Sequence, residues 1–187
     1  MMNPTSNKKD FDDLSTTLRD LAYSYIEKYS PSKQQLKVYL MKKILIKFKT
    51  TKSKKEISEL IDQVLLNLEK NKFLNDELYS DSKSRSLLRR GYSLNKINQS
   101  LRMKGIEQRF IKQSIDKIKN KEIEPDFVSA LKLCKRRRIG AIRPNANREL
   151  FYKKDMGVLA RAGFDYDLSK RVLNLEQEEF QKLIKII

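Results

Sequence analysis

The stretch RRGYSLNKINQSLRMKGIEQRFIKQSIDKI, residues 89–118, decides the fold. Gly91 and Gly105 each precede a bulky residue, Tyr92 and Ile106. That is the pattern of a helix ending in the left-handed conformation open to glycine, with the next side chain packing back on the last turn. Ser93 is a good N-cap, and Ile97 and Leu101 then lie four apart on one face before Gly105 stops the segment. Beyond it, Ile111, Ile115 and Ile118 at i, i+4 and i+7 form a second apolar stripe, with Lys112, Lys117 and Lys119 turned to water. Two short amphipathic helices joined at a glycine are predicted.

The same spacing recurs on both sides. Upstream, Ser32, Leu36 and Leu40 repeat the interval of Ser93, Ile97 and Leu101. Ser53-x-x-Glu56 is a capping box opening a helix that carries Ile57, Leu60, Ile61, Val64, Leu65 and Leu68. Downstream, Leu159-x3-Gly163-Phe164 matches Leu101-x3-Gly105-Ile106, and Leu168, Val172 and Leu173 fall where Phe110, Ser114 and Ile115 do. A period of roughly 50 residues belongs to helical repeat arrays, in which each unit buries its apolar faces partly against a neighbour. The expected class is all-α: three tandem three-helix repeats in an elongated, curved array. The expected bounds are an N-terminal arm or helix at 1–19, repeats at 20–73, 74–122 and 124–173, and a C-terminal helix at 174–187. That last helix starts at Asn174 and docks on the third repeat. Residues 46–55 alternate briefly like a strand but stand alone, so they are expected to form an extended basic loop inside the first repeat.

Three places depart from the pattern. The helix from Asp76 to Arg90 holds Ser80, Ser82, Lys83 and Ser84, leaving Leu78, Tyr79, Leu87 and Leu88 as its expected anchors. Lys43-Ile44 stands where the first repeat would have its glycine stop. Phe151 and Asp155 stand where the third would have its capping serine and first stripe residue.

Of 187 residues, 41 are Lys or Arg and 24 Asp or Glu, a formal net charge of +17, which points to an acidic partner. The length suits one domain or a few small modules, and the 39% apolar share implies thin cores. No His, no Trp and one Cys remove His-dependent acid and base chemistry, His–Cys metal sites and internal disulfides. No glycine-rich phosphate loop or nucleophile with a base appears, so no catalytic residue, metal or cofactor is expected. Cys134 lies among basic neighbours that would lower its pKa, and a lone cysteine fits a reducing cytoplasm. The polar N-terminus has no secretory apolar stretch and nothing approaches a membrane span, so a soluble, cytoplasmic protein is expected.

The run Phe73-Leu74-Asn75-Asp76-Glu77-Leu78-Tyr79, then Arg85, Arg89-Arg90-Gly91-Tyr92-Ser93, Ile97, Leu101 and Lys104-Gly105-Ile106 resembles the central repeat of the RecX regulators of the RecA recombinase. The resemblance is strongest over 73–118 and extends over 22–40 and 150–173. It implies three tandem three-helix units and a non-enzymatic inhibitor or modulator lying in the groove of the RecA–DNA filament. Such a protein would limit filament growth, ATP hydrolysis and strand exchange, within DNA repair, recombination and the SOS response. The partner so implied is the RecA filament, with single- or double-stranded DNA secondary and the protein itself a monomer.

The charge is concentrated. Between Lys83 and Lys121 there are 12 Lys and Arg against Glu107 and Asp116; between Lys132 and Lys154 there are nine against Glu149. The residues expected to meet the partner or DNA are Arg85, Arg89, Arg90, Lys96, Arg102, Lys104, Lys132, Lys135, Arg136, Arg137, Arg138 and Arg148. Each has an ordinary rival reading. Lys135 to Arg138 can be a phosphate contact or a solvated face, and Arg89-Arg90 can be cations favoured by a helix C-terminus. Tyr23, Tyr25, Tyr29, Tyr92, Tyr152 and Tyr166 can stack on bases, though most are read as core edges. The main competing function is a general helical nucleic-acid-binding protein with no RecA partner. A pure scaffold is a third.

Overall fold

A computed structural model describes residues 4–47 and 53–186. It shows ten α-helices and one 3-10 turn, and no strand among the described residues. They are α1 (Pro4–Tyr29), α2 (Lys33–Lys47), α3 (Lys54–Lys70), α4 (Asp76–Arg89), α5 (Leu94–Met103), α6 (Gln108–Lys119), α7 (Pro125–Arg137), α8 (Asn145–Arg161), α9 (Tyr166–Leu173) and α10 (Gln177–Ile186), with the 3-10 turn at Gly140–Ile142. The chain is an all-α helical array. It divides into two compact units: Met1–Tyr79 with Lys104–Glu107, and Ser80–Met103 with Gln108–Ile187.

In the first unit α1, α2 and α3 pack on one another around Leu18, Leu36, Leu40, Ile44, Ile57, Ile61 and Leu65, all fully enclosed. The capping box forms as the sequence predicts. Ser53 Oγ accepts from the Glu56 N–H, and the Glu56 carboxylate accepts from the Ser53 N–H at 2.8 Å. The expected extended loop at 46–55 is shorter than the sequence suggests. Ile46 and Lys47 continue α2, and Lys54 and Lys55 already belong to α3, because the helical hydrogen bonds run past the brief alternation; residues 48–52 lie outside the described residues.

The second unit has its core on α7, α8 and α9, with Leu131, Leu133, Leu159, Val172 and Leu173 at its centre. Phe180 of α10, only 1% exposed, seats the C-terminal helix there beside Leu175. That helix begins later than expected: Asn174 closes α9 by donating its N–H to the Lys170 carbonyl, and α10 starts at Gln177.

One local arrangement occurs in both units. In the first, the Ser32 hydroxyl at the head of α2 donates to the Lys104 carbonyl at 2.7 Å, and the Lys33 N–H donates to Asp76 Oδ1 at 2.9 Å. In the second, the Ser93 hydroxyl at the head of α5 donates to the Gly163 carbonyl at 2.7 Å, and the Leu94 N–H donates to Asp126 Oδ1 at 2.7 Å. A capping serine and a remote aspartate thus satisfy the N–H and hydroxyl groups that a helix start leaves without intrahelical partners. The third serine-equivalent position, Phe151, lies inside α8, whose first residue is Asn145, so it caps nothing.

Burial pushes both Asp76 and Asp126 carboxyls above their ordinary value of 3.8, against the opposing pull of the N–H each accepts. A carboxyl raised on folding contributes stability that is complete below its unfolded value and is lost as pH climbs through the folded one. The Asp76→Asn/Asp126→Asn double variant keeps both acceptors and is expected to lose that decline above pH 3.8. Urea midpoints of the two proteins, measured from pH 3 to 7, should therefore diverge in favour of the variant as pH rises. Parallel curves would show that these carboxyls carry no such penalty.

Candidate functional site

The packing of α4 against α6 brings several cationic side chains together. The sequence places Leu78 among the anchors of α4, but it is 65% exposed, whereas Ser80 and Ser84 are buried with Leu87 and Leu88. Serine is small enough to let a neighbouring backbone approach, and the Ser80 hydroxyl finds partners, while that of Ser84 has none among the described residues. Ser80 Oγ donates to the Phe110 carbonyl at 3.2 Å, and the Ser114 hydroxyl of α6 lies 2.8 Å from Ser80 Oγ and 2.7 Å from Asp81 Oδ1. Tyr79 is half-buried in the first unit.

Beside this polar seam, residues of the two helices line a cleft of about 270 Å³. Arg85 and Arg89, one turn apart on α4, face Lys117 of α6 and Lys121 just beyond it, again four residues apart. Lys117 Nζ binds Asp81 Oδ2 at 2.6 Å. Burial works to raise the Asp81 carboxyl, but its bonds to Lys117 and Ser114 outweigh that and hold it below its ordinary range. Two expected residues, Arg85 and Arg89, are therefore brought together. Two lysines that the apolar periodicity marked only as water-facing or left unremarked join them. The i, i+4 spacing within each pair was the signal available for finding them.

The other expected residues are more scattered. Lys135, Arg136, Arg137 and Arg138 are all exposed at the end of α7. Arg138 holds the left-handed conformation at φ 53°, where glycine would be relaxed, at a cost of roughly 1 kcal/mol. Arg90 and Arg102 are exposed, Lys132 is half-buried, and Lys96 Nζ reaches Gln99 at 3.0 Å. Lys104 belongs to the first unit, where its carbonyl receives Ser32. Arg148 donates to the carbonyls of Leu173 and Leu175 at 3.0 and 2.6 Å, closing the end of α9. Among the tyrosines, Tyr25 stacks on Tyr39 with ring centroids 3.9 Å apart, and Tyr92 and Tyr152 pack on the second core. Tyr23, Tyr29 and Tyr166 are exposed. Cys134 reverses its expectation. It is buried, and desolvation pushes its thiol up to about 12 despite the cations beside it in sequence. Among the described residues no helix is long and apolar enough to cross a membrane.

Comparison with known proteins gives three matches. The family model for the second three-helix domain of RecX matches residues 75–115. The regulatory protein RecX of Myxococcus xanthus (strain DK1622) is 30% identical over 162 residues, spanning 85% of each chain. The crystal structure of a regulatory protein RecX superposes with a TM-score of 0.61 at 18% identity, covering 94% of this chain and 79% of that one, a likeness of fold. The family match spans α4, α5 and most of α6; it takes in Arg85 and Arg89 of the cleft and ends before Lys117 and Lys121.

Proposed function

The chain belongs to the RecX family of regulatory proteins, and on that premise we propose that it acts without catalysis on the RecA recombinase, binding the RecA–DNA filament and limiting filament growth, ATP hydrolysis and strand exchange. The identity shared with a regulatory protein RecX over 85% of both chains carries this reading. The +17 charge supports it, since a filament wrapped on DNA is a polyanion and attraction to it is long-ranged, with a screening length of about 8 Å at physiological salt. The repeats at 20–73, 74–122 and 124–173, a monomeric state, a cytoplasmic setting and a secondary role for DNA belong to the same proposal.

Its test is the ATPase of RecA on single-stranded DNA. Substoichiometric protein is expected to slow hydrolysis, because one molecule lying across or at the end of a filament affects many protomers. If equimolar protein leaves hydrolysis unchanged while binding naked DNA tightly, the chain is a general nucleic-acid-binding protein instead.

A further inference from the structure

A surface that binds a single-stranded nucleic acid differs from one that merely attracts acid in offering a flat aromatic face beside its cations. The first unit carries such a combination, away from the basic middle of the sequence. Tyr39 of α2 stacks on Tyr25 of α1 with ring centroids 3.9 Å apart and planes inclined by 16°, and Tyr29, one turn beyond Tyr25, continues the row at 4.8 Å. The Tyr29 ring is tilted 45° to that of Tyr25, so the two do not cover each other face to face, and Tyr29 is 57% exposed. Its place is fixed by the turn that follows: Ser30 is left-handed at φ 41°, rare for a residue with a side chain, and its N–H donates to the Ile26 carbonyl at 2.9 Å. Lysines stand at both ends of the row. Lys28 Nζ lies 5.4 Å from the Tyr29 ring centre and Lys43 Nζ 5.7 Å from that of Tyr39, both exposed and without a carboxylate partner among the described residues. No acidic residue occurs in α2, and Glu27, the one carboxylate between Tyr23 and Tyr29, is two residues from both Tyr25 and Tyr29 and so points away from them. Exposure alone does not make such a surface: Tyr166 is 63% exposed, but it stands between Asp165 and Asp167, which would repel a phosphate.

From these we infer that the tyrosine row of the first unit is a stacking platform for a single-stranded nucleic acid, with a base on the free surface of Tyr29 and the sugar–phosphate chain running from Lys28 toward Lys43. Each part has a chemical reason. Every base has a π face, so stacking on tyrosine needs no particular sequence, and a lysine ammonium meets a phosphate as a point charge. The long Lys28 side chain can leave the ring for the phosphate as the base arrives. A duplex keeps its bases stacked inside, and only a single strand has one to offer. An acidic segment of a protein would satisfy the two lysines, but its carboxylates have no flat face to lay on Tyr29. The inference deepens the reading above and rests on it for the source of the strand, the DNA within the filament.

The test uses the full chain and follows the anisotropy of a fluorescently labelled oligodeoxyadenylate across salt concentration, beside an abasic oligomer of the same length that carries the same phosphates and no base. The parent is expected to bind the adenylate about tenfold more tightly than the abasic strand. Tyr29→Leu keeps apolar bulk and charge; it should weaken adenylate binding about fivefold, leave its salt slope unchanged and leave abasic binding as it was. Tyr166→Leu should change none of these. Lys28→Gln/Lys43→Gln should weaken both oligomers and make the log–log salt slope shallower by about 1.4, the loss of two phosphate contacts on a single strand. Circular dichroism confirms equal helicity. Equal binding of the two oligomers by the parent, equal effects of Tyr29→Leu and Tyr166→Leu, a slope untouched by the lysine pair, or absence of adenylate binding would each overturn the platform. So would polyglutamate displacing the labelled adenylate as readily as unlabelled adenylate of equal charge, which would give the row to an acidic protein surface. If any of these occurs while the parent still slows RecA ATP hydrolysis, the inference fails and the proposed function stands.

Discussion

Replacing Asp155 by Ala is expected to cost the second unit about 3–5 kcal/mol, the usual penalty for removing one partner of a buried ion pair. The carboxylate is 2% exposed and fully engaged. Oδ2 accepts from Arg143 Nε at 2.7 Å and from the buried Gly140 N–H at 3.1 Å, and Oδ1 accepts from Arg143 Nη2 at 2.7 Å. The variant leaves a guanidinium and a backbone N–H without their acceptor. Arg143 retains 21% side-chain exposure and stacks on Phe151 at 4.6 Å, so the lower end of the range applies. At roughly 2–4 °C per kcal/mol for a chain of this size, calorimetry should show the melting temperature of the protein fall by about 6–12 °C. Arg143→Met/Asp155→Leu removes both charges and is expected to recover part of that loss. A double variant no more stable than Asp155→Ala would mean that the pair is not what the 3-10 turn depends on.

Gly91→Ala is the second large effect, at about 3 kcal/mol. The backbone there has φ 74°, which costs an alanine about 1 kcal/mol, and the added Cβ would stand 2.7 Å from Leu133 Cβ and 2.9 Å from Leu133 N. Forcing α7 away from the end of α4 adds about 1–3 kcal/mol, as overpacking does elsewhere. It would also disturb the paired turn bonds from the Gly91 N–H to the Leu88 carbonyl and from the Tyr92 N–H to the Leu87 carbonyl, and the Ser129 hydroxyl that lies within hydrogen-bond reach of the Leu88 and Tyr92 carbonyls at 3.1 and 2.9 Å. Urea unfolding reads the loss. An alanine variant as stable as the parent would show that this helix stop tolerates a side chain and that α7 is not pressed against it.

Those two residues mark the range of what the sequence discloses. Gly91 was legible because a left-handed helix stop demands a particular residue type, and the same holds for Gly105, Gly163, the Ser53–Glu56 box and the stripes through Ile97 and Leu101. Such features are local, set by a few consecutive residues. Asp155 read only as a break in a stripe, because its partner Arg143 and the Gly140 N–H are brought to it by tertiary packing. The serine seam was hidden for the same reason. By composition Ser80 and Ser84 weaken α4, yet with Ser114 opposite they let it pack closely and leave Leu78 in water. Among the cations, local density singled out Lys135 to Arg138 but could not separate Arg148, which closes α9, from Arg89, which lines the cleft. Nor could it pair Arg85 and Arg89 with Lys117 and Lys121, since that depends on how two helices cross.

On the function proposed above, this protein reaches the RecA–DNA filament through the cations of its basic middle. Cosedimentation with preformed filaments measures it directly, using the parent and a variant in which Arg85, Arg89, Arg90, Arg102, Arg136, Arg137 and Arg138 are reversed to Glu. The parent is expected in the pellet at physiological salt and the reversed protein, with its helical content intact, in the supernatant. Equal pelleting of the two, or a parent that stays in solution beside the filament, would contradict the account.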